Sequence, residues 1–194
     1  AWYGEMGIPW RRGYLFYGPP GTGKTSLAFA LAGELQLSLC TLSLTNTNLD
    51  DQGISDLLQR TPAKSLILIE DADAFFVARE KQDTRINVSF SGLLNAIDGV
   101  AAQEGRIVVL TTNRREALDA ALIRPGRIDS VLEIGLASAP QIRALFLRFH
   151  PTEIAAADTL ATALADKRMS PAAVQQVLLA FPLPRDAVAA ILDA

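Results

Sequence analysis

The sequence predicts an α/β fold, a doubly wound parallel sheet core followed by a small all-helical lid. Three observations carry that prediction. Apolar runs at 14–17, 39–44, 66–69, 107–110 and 131–134 are nearly continuous, as expected of strands buried on both faces of a parallel sheet. Helical patterns at 24–35, 51–60 and 90–97 fall between them, which is the alternation of a doubly wound sheet. After about Ala137 the strands stop, and an Ala- and Leu-rich tract carries helix punctuation instead. The expected division is a core over 1–137 and a lid over 138–194.

The first strand runs directly into Gly18-Pro19-Pro20-Gly21-Thr22-Gly23-Lys24-Thr25-Ser26. Its first eight residues fit G-x-x-x-x-G-K-[ST], and the position between a strand and an amphipathic helix turns a short pattern into a phosphate-binding site. The glycines let successive backbone N–H groups face one phosphate chain, and the helix beginning near Lys24 adds its positive end. Lys24 then reaches the terminal phosphates of ATP, and the Thr25 hydroxyl joins a Mg²⁺ shell. Leu27, Ala28, Leu31 and Leu35 are expected to form the apolar face of that helix. In the next strand Cys40 stands between Leu39 and Leu42 and reads as a buried strand residue. A single cysteine forms no internal disulfide, which fits a reducing compartment.

The third strand ends in Glu70-Asp71-Ala72-Asp73. Ligands of open α/β sheets sit off the carboxyl ends of strands, so this acidic turn faces the phosphate loop. Phosphoryl transfer needs one carboxylate to hold Mg²⁺ through its water shell and another to orient or deprotonate the attacking water. Two adjacent acids leave the division of labour open; position gives Glu70 to the metal and Asp71 to the water. The polar stretch 79–87 is expected to be a disordered loop. The fourth strand leads through Thr111 and Thr112 to Asn113, whose amide can bridge the water and the γ phosphate. Arg124 and Arg127 flank Pro125-Gly126, so both are expected to project from a turn, and a cationic finger adds orders of magnitude to phosphoryl transfer. In the lid, Pro140, Pro151-Thr152, Ser170-Pro171 and Pro182-Leu183-Pro184 mark helix boundaries, with Ser170 an N-cap and Pro171 a first-turn proline.

Composition sets the outer limits. At 194 residues, 49% hydrophobic and 20% charged, the chain is long enough for one substantial core or for a core domain with a small satellite. A net charge of -3 with interspersed signs gives no general attraction to nucleic acid or to an anionic membrane. The lone His150 excludes a histidine metal cluster. No apolar run exceeds six residues, so nothing in this stretch is expected to span a membrane, and no signal peptide is visible. The start at Ala1-Trp2, without a Met, reads as a domain cut from a longer protein.

The phosphate loop, the acidic strand end, Thr112-Asn113 and the block from Leu118-Asp119 to Asp129 together resemble the AAA class of ring ATPases, over nearly the whole chain. Within that class, Gly7-Ile8-Pro9-Trp10-Arg11-Arg12-Gly13-Tyr14, the segment Phe90-Ser91-Gly92-Leu93-Leu94-Asn95-Ala96-Ile97-Asp98-Gly99-Val100 and Glu70-Asp71 resemble the mitochondrial inner-membrane ATPases that assemble respiratory complex III. Most AAA proteins carry the acidic pair as Asp then Glu; the reversed order here is that of this subfamily. The resemblance implies ATP and Mg²⁺ as cofactors and a homo-oligomeric ring as the active unit. Arg124 and Arg127 would be fingers reaching a neighbour's ATP, and Asn113 the sensor of the γ phosphate. Gly7 and Ile8, with Ile142 from the lid, would flank adenine. It further implies a folded cargo of the Rieske iron-sulfur type and no nucleic acid. Membrane attachment would come only through a segment absent from this chain. The place would be the matrix face of the mitochondrial inner membrane in a eukaryotic source, and the cytoplasm otherwise.

Unfolding translocases of the wider class grip an extended chain with an aromatic-apolar-Gly tripeptide after the second strand. The corresponding stretch 43–51 has no aromatic, so cargo is expected to move by ring opening and closing. The alternative is an ATP-dependent remodeller of protein complexes, or a defence-type ATPase with the same domain. A nucleotide-binding module without turnover is a third reading, and Glu70, Asp71, Asn113, Arg124 and Arg127 together argue against it.

Overall fold

The computed structural model describes residues 11–81, 86–101, 105–124, 126–164 and 169–193. They fall into two compact units. One comprises Ala1–Gly18 and Lys24–Glu133; the other comprises Ile134–Ala194 together with Pro19–Gly23 of the phosphate loop. The change of unit at Glu133 precedes the 137/138 boundary expected from composition.

The first unit is a five-stranded parallel sheet with helices. Its strands are β1 (Arg11–Tyr17), β2 (Ser38–Ser43), β3 (Ser65–Glu70), β4 (Arg106–Thr112) and β5 (Ser130–Glu133), in the order β2-β3-β4-β1-β5. Leu15 lies opposite Leu110 of β4 on one side and Val131 of β5 on the other. The chain therefore leaves β1 for the far edge, works back to β4, and crosses to β5. That reversal places the carboxyl ends of β1, β3 and β4 around one crevice, where doubly wound folds bind ligands.

Burial follows sheet position. Leu66, Leu68 and Ile69 of β3 are fully buried, as two covered faces require. The edge strand β2 alternates instead, so Leu39 is exposed and Cys40 only half-buried, less enclosed than the apolar run suggests. Helix α1 (Lys24–Glu34) also departs from expectation. Its buried stripe is Lys24, Ala28 and Ala32, while Leu27 and Leu35 stand exposed. The small side chains of Ala28 and Ala32, one turn apart, let this helix lie close against the sheet, and the larger Leu27 and Leu35 fall on the outer face.

Helix α2 (Asp51–Arg60) begins at Asp50, whose Oδ1 accepts the Gly53 N–H at 2.7 Å. Its far end is closed by buried Arg106, whose guanidinium donates to the carbonyls of Leu58 at 3.1 Å and of Thr61. Helix α3 (Ala72–Glu80) follows β3 with no loop, which hid it from the sequence pattern. Its Phe75 and Phe76 pack edge to face at 5.2 Å, and Phe76 meets Phe90 of helix α4 (Phe90–Ala101) at 5.5 Å. Of the stretch 79–87 expected to be disordered, residues 82–85 lie outside the described residues.

Asp51 joins α2 to α4: its carboxylate accepts from the Ser89 N–H and hydroxyl, both at 2.6 Å. A Cβ on Gly92 would lie 2.1 Å from that carboxylate. Gly92→Ala is therefore expected to destabilise the unit by about 1–3 kcal/mol through overpacking, read as a lowered urea midpoint at unchanged slope.

The second unit contains α5 (Ala139–Phe149), α6 (Ile154–Ala163), α7 (Pro171–Ala180) and α8 (Pro184–Asp193). Each gives buried apolar side chains to one core, among them Ile142, Phe146, Leu160, Val174, Leu178 and Ile191. The punctuation works as expected at α7, where the Ser170 hydroxyl accepts the Ala173 N–H at 3.2 Å ahead of Pro171.

Candidate functional site

Gly18 ends β1 and donates its N–H to the Thr112 carbonyl at 3.3 Å, so the phosphate loop leaves the sheet beside the end of β4. Gly18, Gly21 and Gly23 have φ of 142°, 75° and 96°. Side chains disfavour that region, and at Gly23 the backbone angle alone is the reason, since a Cβ would meet nothing within 4 Å. Pro19 and Pro20 are exposed, and the buried Thr22 hydroxyl closes the turn onto the Pro19 carbonyl at 3.0 Å. Ser26 is exposed on α1.

Lys24 is buried, and its Nζ donates to the Gly18 carbonyl at 2.9 Å. Burial lowers its pKa, an effect opposed by the negative charges of Asp71 and Asp73. An ammonium kept this dry favours an anion arriving beside it.

The two adjacent acids face different partners. Glu70 Oε1 accepts from the Thr25 hydroxyl at 2.7 Å, which brings two side-chain oxygens together. Asp71 sits in the left-handed region at φ 47° and ψ 51°, a strain of about 1 kcal/mol or more for a side chain other than glycine. Its N–H donates to the Thr111 hydroxyl at 3.1 Å, and its exposed carboxylate accepts from Asn113 Nδ2 at 3.4 Å. A right-handed residue here would continue the backbone in another direction, so the strain serves to turn the carboxylate toward β4. Among the described residues no group of three or more His, Cys, Asp or Glu is arranged to hold a metal by itself.

Arg124 is exposed on the turn before β5. Arg127 is paired within this chain. Its Nε and Nη2 donate to the two oxygens of Asp98, each at 2.8 Å, and Nη1 donates to the Ala121 carbonyl at 2.7 Å. Asp98 on α4 lies within reach of the turn, and the guanidinium fork matches a carboxylate, so Arg127 is held within its own chain. The same turn is tied to β1: Asp129 accepts from the N–H groups of Gly13 and Gly126, and its own N–H donates to the Gly13 carbonyl at 2.8 Å. A Cβ on Gly13 would fall 1.7 Å from the Arg127 carbonyl, so only glycine fits there.

Gly7, Ile8 and Pro125 lie outside the described residues. Ile142 is fully enclosed in the core of the second unit, which gives it a packing role. Sequence reasoning missed the connection made by Asp73. Its Oδ1 accepts from the Thr112 hydroxyl at 2.8 Å and the Asn113 N–H at 3.2 Å. The signal was present as a third acid two residues after the pair.

A family model described as the ATPase family associated with various cellular activities (AAA) matches residues 14–136. The chain belongs to the AAA ATPase family. A second model, described as the ATPase lid domain of mitochondrial chaperone BCS1-like proteins, matches residues 139–193 of this AAA protein. Mitochondrial chaperone BCS1 of Homo sapiens is 46% identical over 100% of the chain and 48% of its own length. The probable mitochondrial chaperone bcs1 of Schizosaccharomyces pombe is 45% identical over 96% of the chain and 42% of its own length. Protein HYPER-SENSITIVITY-RELATED 4 of Arabidopsis thaliana is 38% identical over 76% of the chain and 28% of its own length. The AAA chain thus spans less than half the length of these relatives. Family membership implies nucleotide binding.

Proposed function

We propose that this AAA domain hydrolyses Mg·ATP within a homo-oligomeric ring and drives assembly or translocation of a folded protein at a membrane, as a chaperone of the BCS1 kind. The observation that carries the chemistry is the pairing at the strand ends, Thr25 with Glu70 and Asn113 with Asp71. Gly18 to Ser26 cradle the phosphates, with Lys24 against the terminal pair. The Thr25 and Glu70 oxygens fit magnesium, a hard cation that retains waters and needs few protein ligands. When bound, that ion neutralises charge on the phosphates. Asp71 orients the attacking water and accepts its proton, while Asn113 holds the water and the γ phosphate in register. Arg124 reaches the nucleotide of a neighbouring subunit.

The cargo reading is supported by the loop after β2. Leu44 and Leu49 are buried, and the side chains left outside are Thr45, Asn46, Thr47 and Asn48, which offer no apolar wedge for an extended chain. A folded cargo moved by ring opening suits that surface, and the BCS1 relatives support a mitochondrial place for a eukaryotic source; the matrix side of the inner membrane is part of the same proposal. Adenine contacts by Gly7 and Ile8 belong to the same reading, whereas Ile142 is enclosed in its own core. A second reading, a remodelling or defence-type ATPase joined to another effector, is supported by the 38% identity to HYPER-SENSITIVITY-RELATED 4.

Lys24→Ala tests the nucleotide site. Losing one charge-assisted contact of about 3 kcal/mol weakens ATP binding about 100-fold. Calorimetric titration of the folded variant measures it, and near-normal affinity would remove Lys24 from the phosphate site.

A further inference from the structure

We propose that Asp73 is a positioning residue for hydrolysis: it fixes the end of β4 so that the Asn113 amide faces Asp71. The inference rests on the ATPase reading above. Pairing of β3 with β4 ends at Ile69 and Leu110, and pairing of β1 with β4 ends at Tyr17 and Thr112. Asn113 is thus the first residue beyond the ladder, and its N–H needs another acceptor. Asp73, on the first turn of α3, supplies it.

One carboxylate oxygen takes both the Thr112 hydroxyl and the Asn113 N–H. The Thr112 oxygen in turn accepts the Arg114 N–H at 3.0 Å. Hydrogen bonds from 112 and 113 to Asp73, and from Asp71 to Thr111, interleave the two strand ends. The Asn113 side chain leaves this fixed backbone and reaches Asp71 at 3.4 Å. The plainer role of an acid in the first turn of a helix is to complement its dipole. Here the oxygen is instead committed to β4, and the same carboxylate opposes the loss of charge on Lys24.

The role predicted for Asp73 is that of an acceptor, which separates it from a charge or metal role. In the full-length protein, Asp73→Ala is expected to lower kcat about 10–100-fold with ATP affinity nearly unchanged, the signature of lost orientation. Asp73→Asn keeps an oxygen at the same place and is expected to restore kcat to within about 3-fold. In an Asn113→Ala background, Asp73→Ala should lower kcat no further, because the two act through one group. Hydrogen exchange supplies a readout independent of turnover: the Asn113 amide loses protection in Asp73→Ala while Leu110 keeps it. Should Asp73→Ala fail to fold, isosteric Thr112→Val removes one of the two donors and is expected to lower kcat in the same direction. The proposal is overturned if Asn is as damaging as Ala, if affinity rather than kcat falls, or if the losses with Asn113→Ala add. Wild-type protein without turnover would sink the ATPase reading instead, and the exchange measurement would still decide whether Asp73 holds Asn113.

Discussion

An Asp71→Asn variant is expected to bind Mg·ATP and fail to turn it over. The carboxylate stands exposed at the end of β3 beside Asn113, held there by an αL backbone and by its own N–H on Thr111. An amide preserves the shape and the contact but cannot accept a proton at neutral pH, so kcat should fall about 10²–10⁴-fold with little change in affinity. Glu70→Gln should behave differently. Glu70 shares its oxygen with the Thr25 hydroxyl, the pair suited to the cation, so its loss should raise the magnesium concentration needed for nucleotide binding. Paired binding and turnover assays decide the matter; the reverse pattern would exchange the roles of the two acids.

The second large effect is expected at Arg124, and the structure separates it from Arg127. Three donors of Arg127 are committed to Asp98 and Ala121, whereas Arg124 is exposed on the same turn. Arg124→Ala should lower kcat of the assembled protein about 10³-fold or more while ATP affinity in the same chain is kept. Arg127→Ala should act first on stability, on the order of 1 kcal/mol given that Asp98 is half-exposed. Mixing Arg124→Ala protein with Lys24→Ala protein tests action between subunits. Neither hydrolyses alone, but in a mixed ring the intact phosphate loop of the first can receive Arg124 from the second. Recovered activity supports a finger in trans; no recovery in rings verified by mass would leave Arg124 structural or acting in its own site.

The core and phosphate loop were legible because their physics is local. Backbone angles at Gly18, Gly21 and Gly23 and a lysine at a fixed spacing are written in consecutive residues, and the apolar runs marked each of the five strands to within a few positions. What sequence could not resolve depends on pairs far apart along the chain. Arg127 meets Asp98 across 29 residues and Asp73 meets Thr112 across 39, and nothing local distinguishes a committed arginine from a free one or a latching acid from a helix-start acid. The outer face of α1 was misread for a related reason: periodicity finds a stripe of leucines, but close approach to the sheet selected the alanines. Helix α3 was missed because it follows β3 without punctuation.

The clamp between Gly13 and Asp129 gives β1 two attachments of different kinds. At one end the strand is bolted to the turn that carries Arg124; five residues on, at Gly18, it becomes the phosphate loop. The span is about 16 Å at the usual rise of a strand. With β4 laddered on one side and β5 on the other, the strand cannot lengthen or buckle, so it behaves as a strut. In the proposed ring this strand would be a mechanical linkage within the backbone: a shift at Gly18 would be passed along it to the turn that carries Arg124.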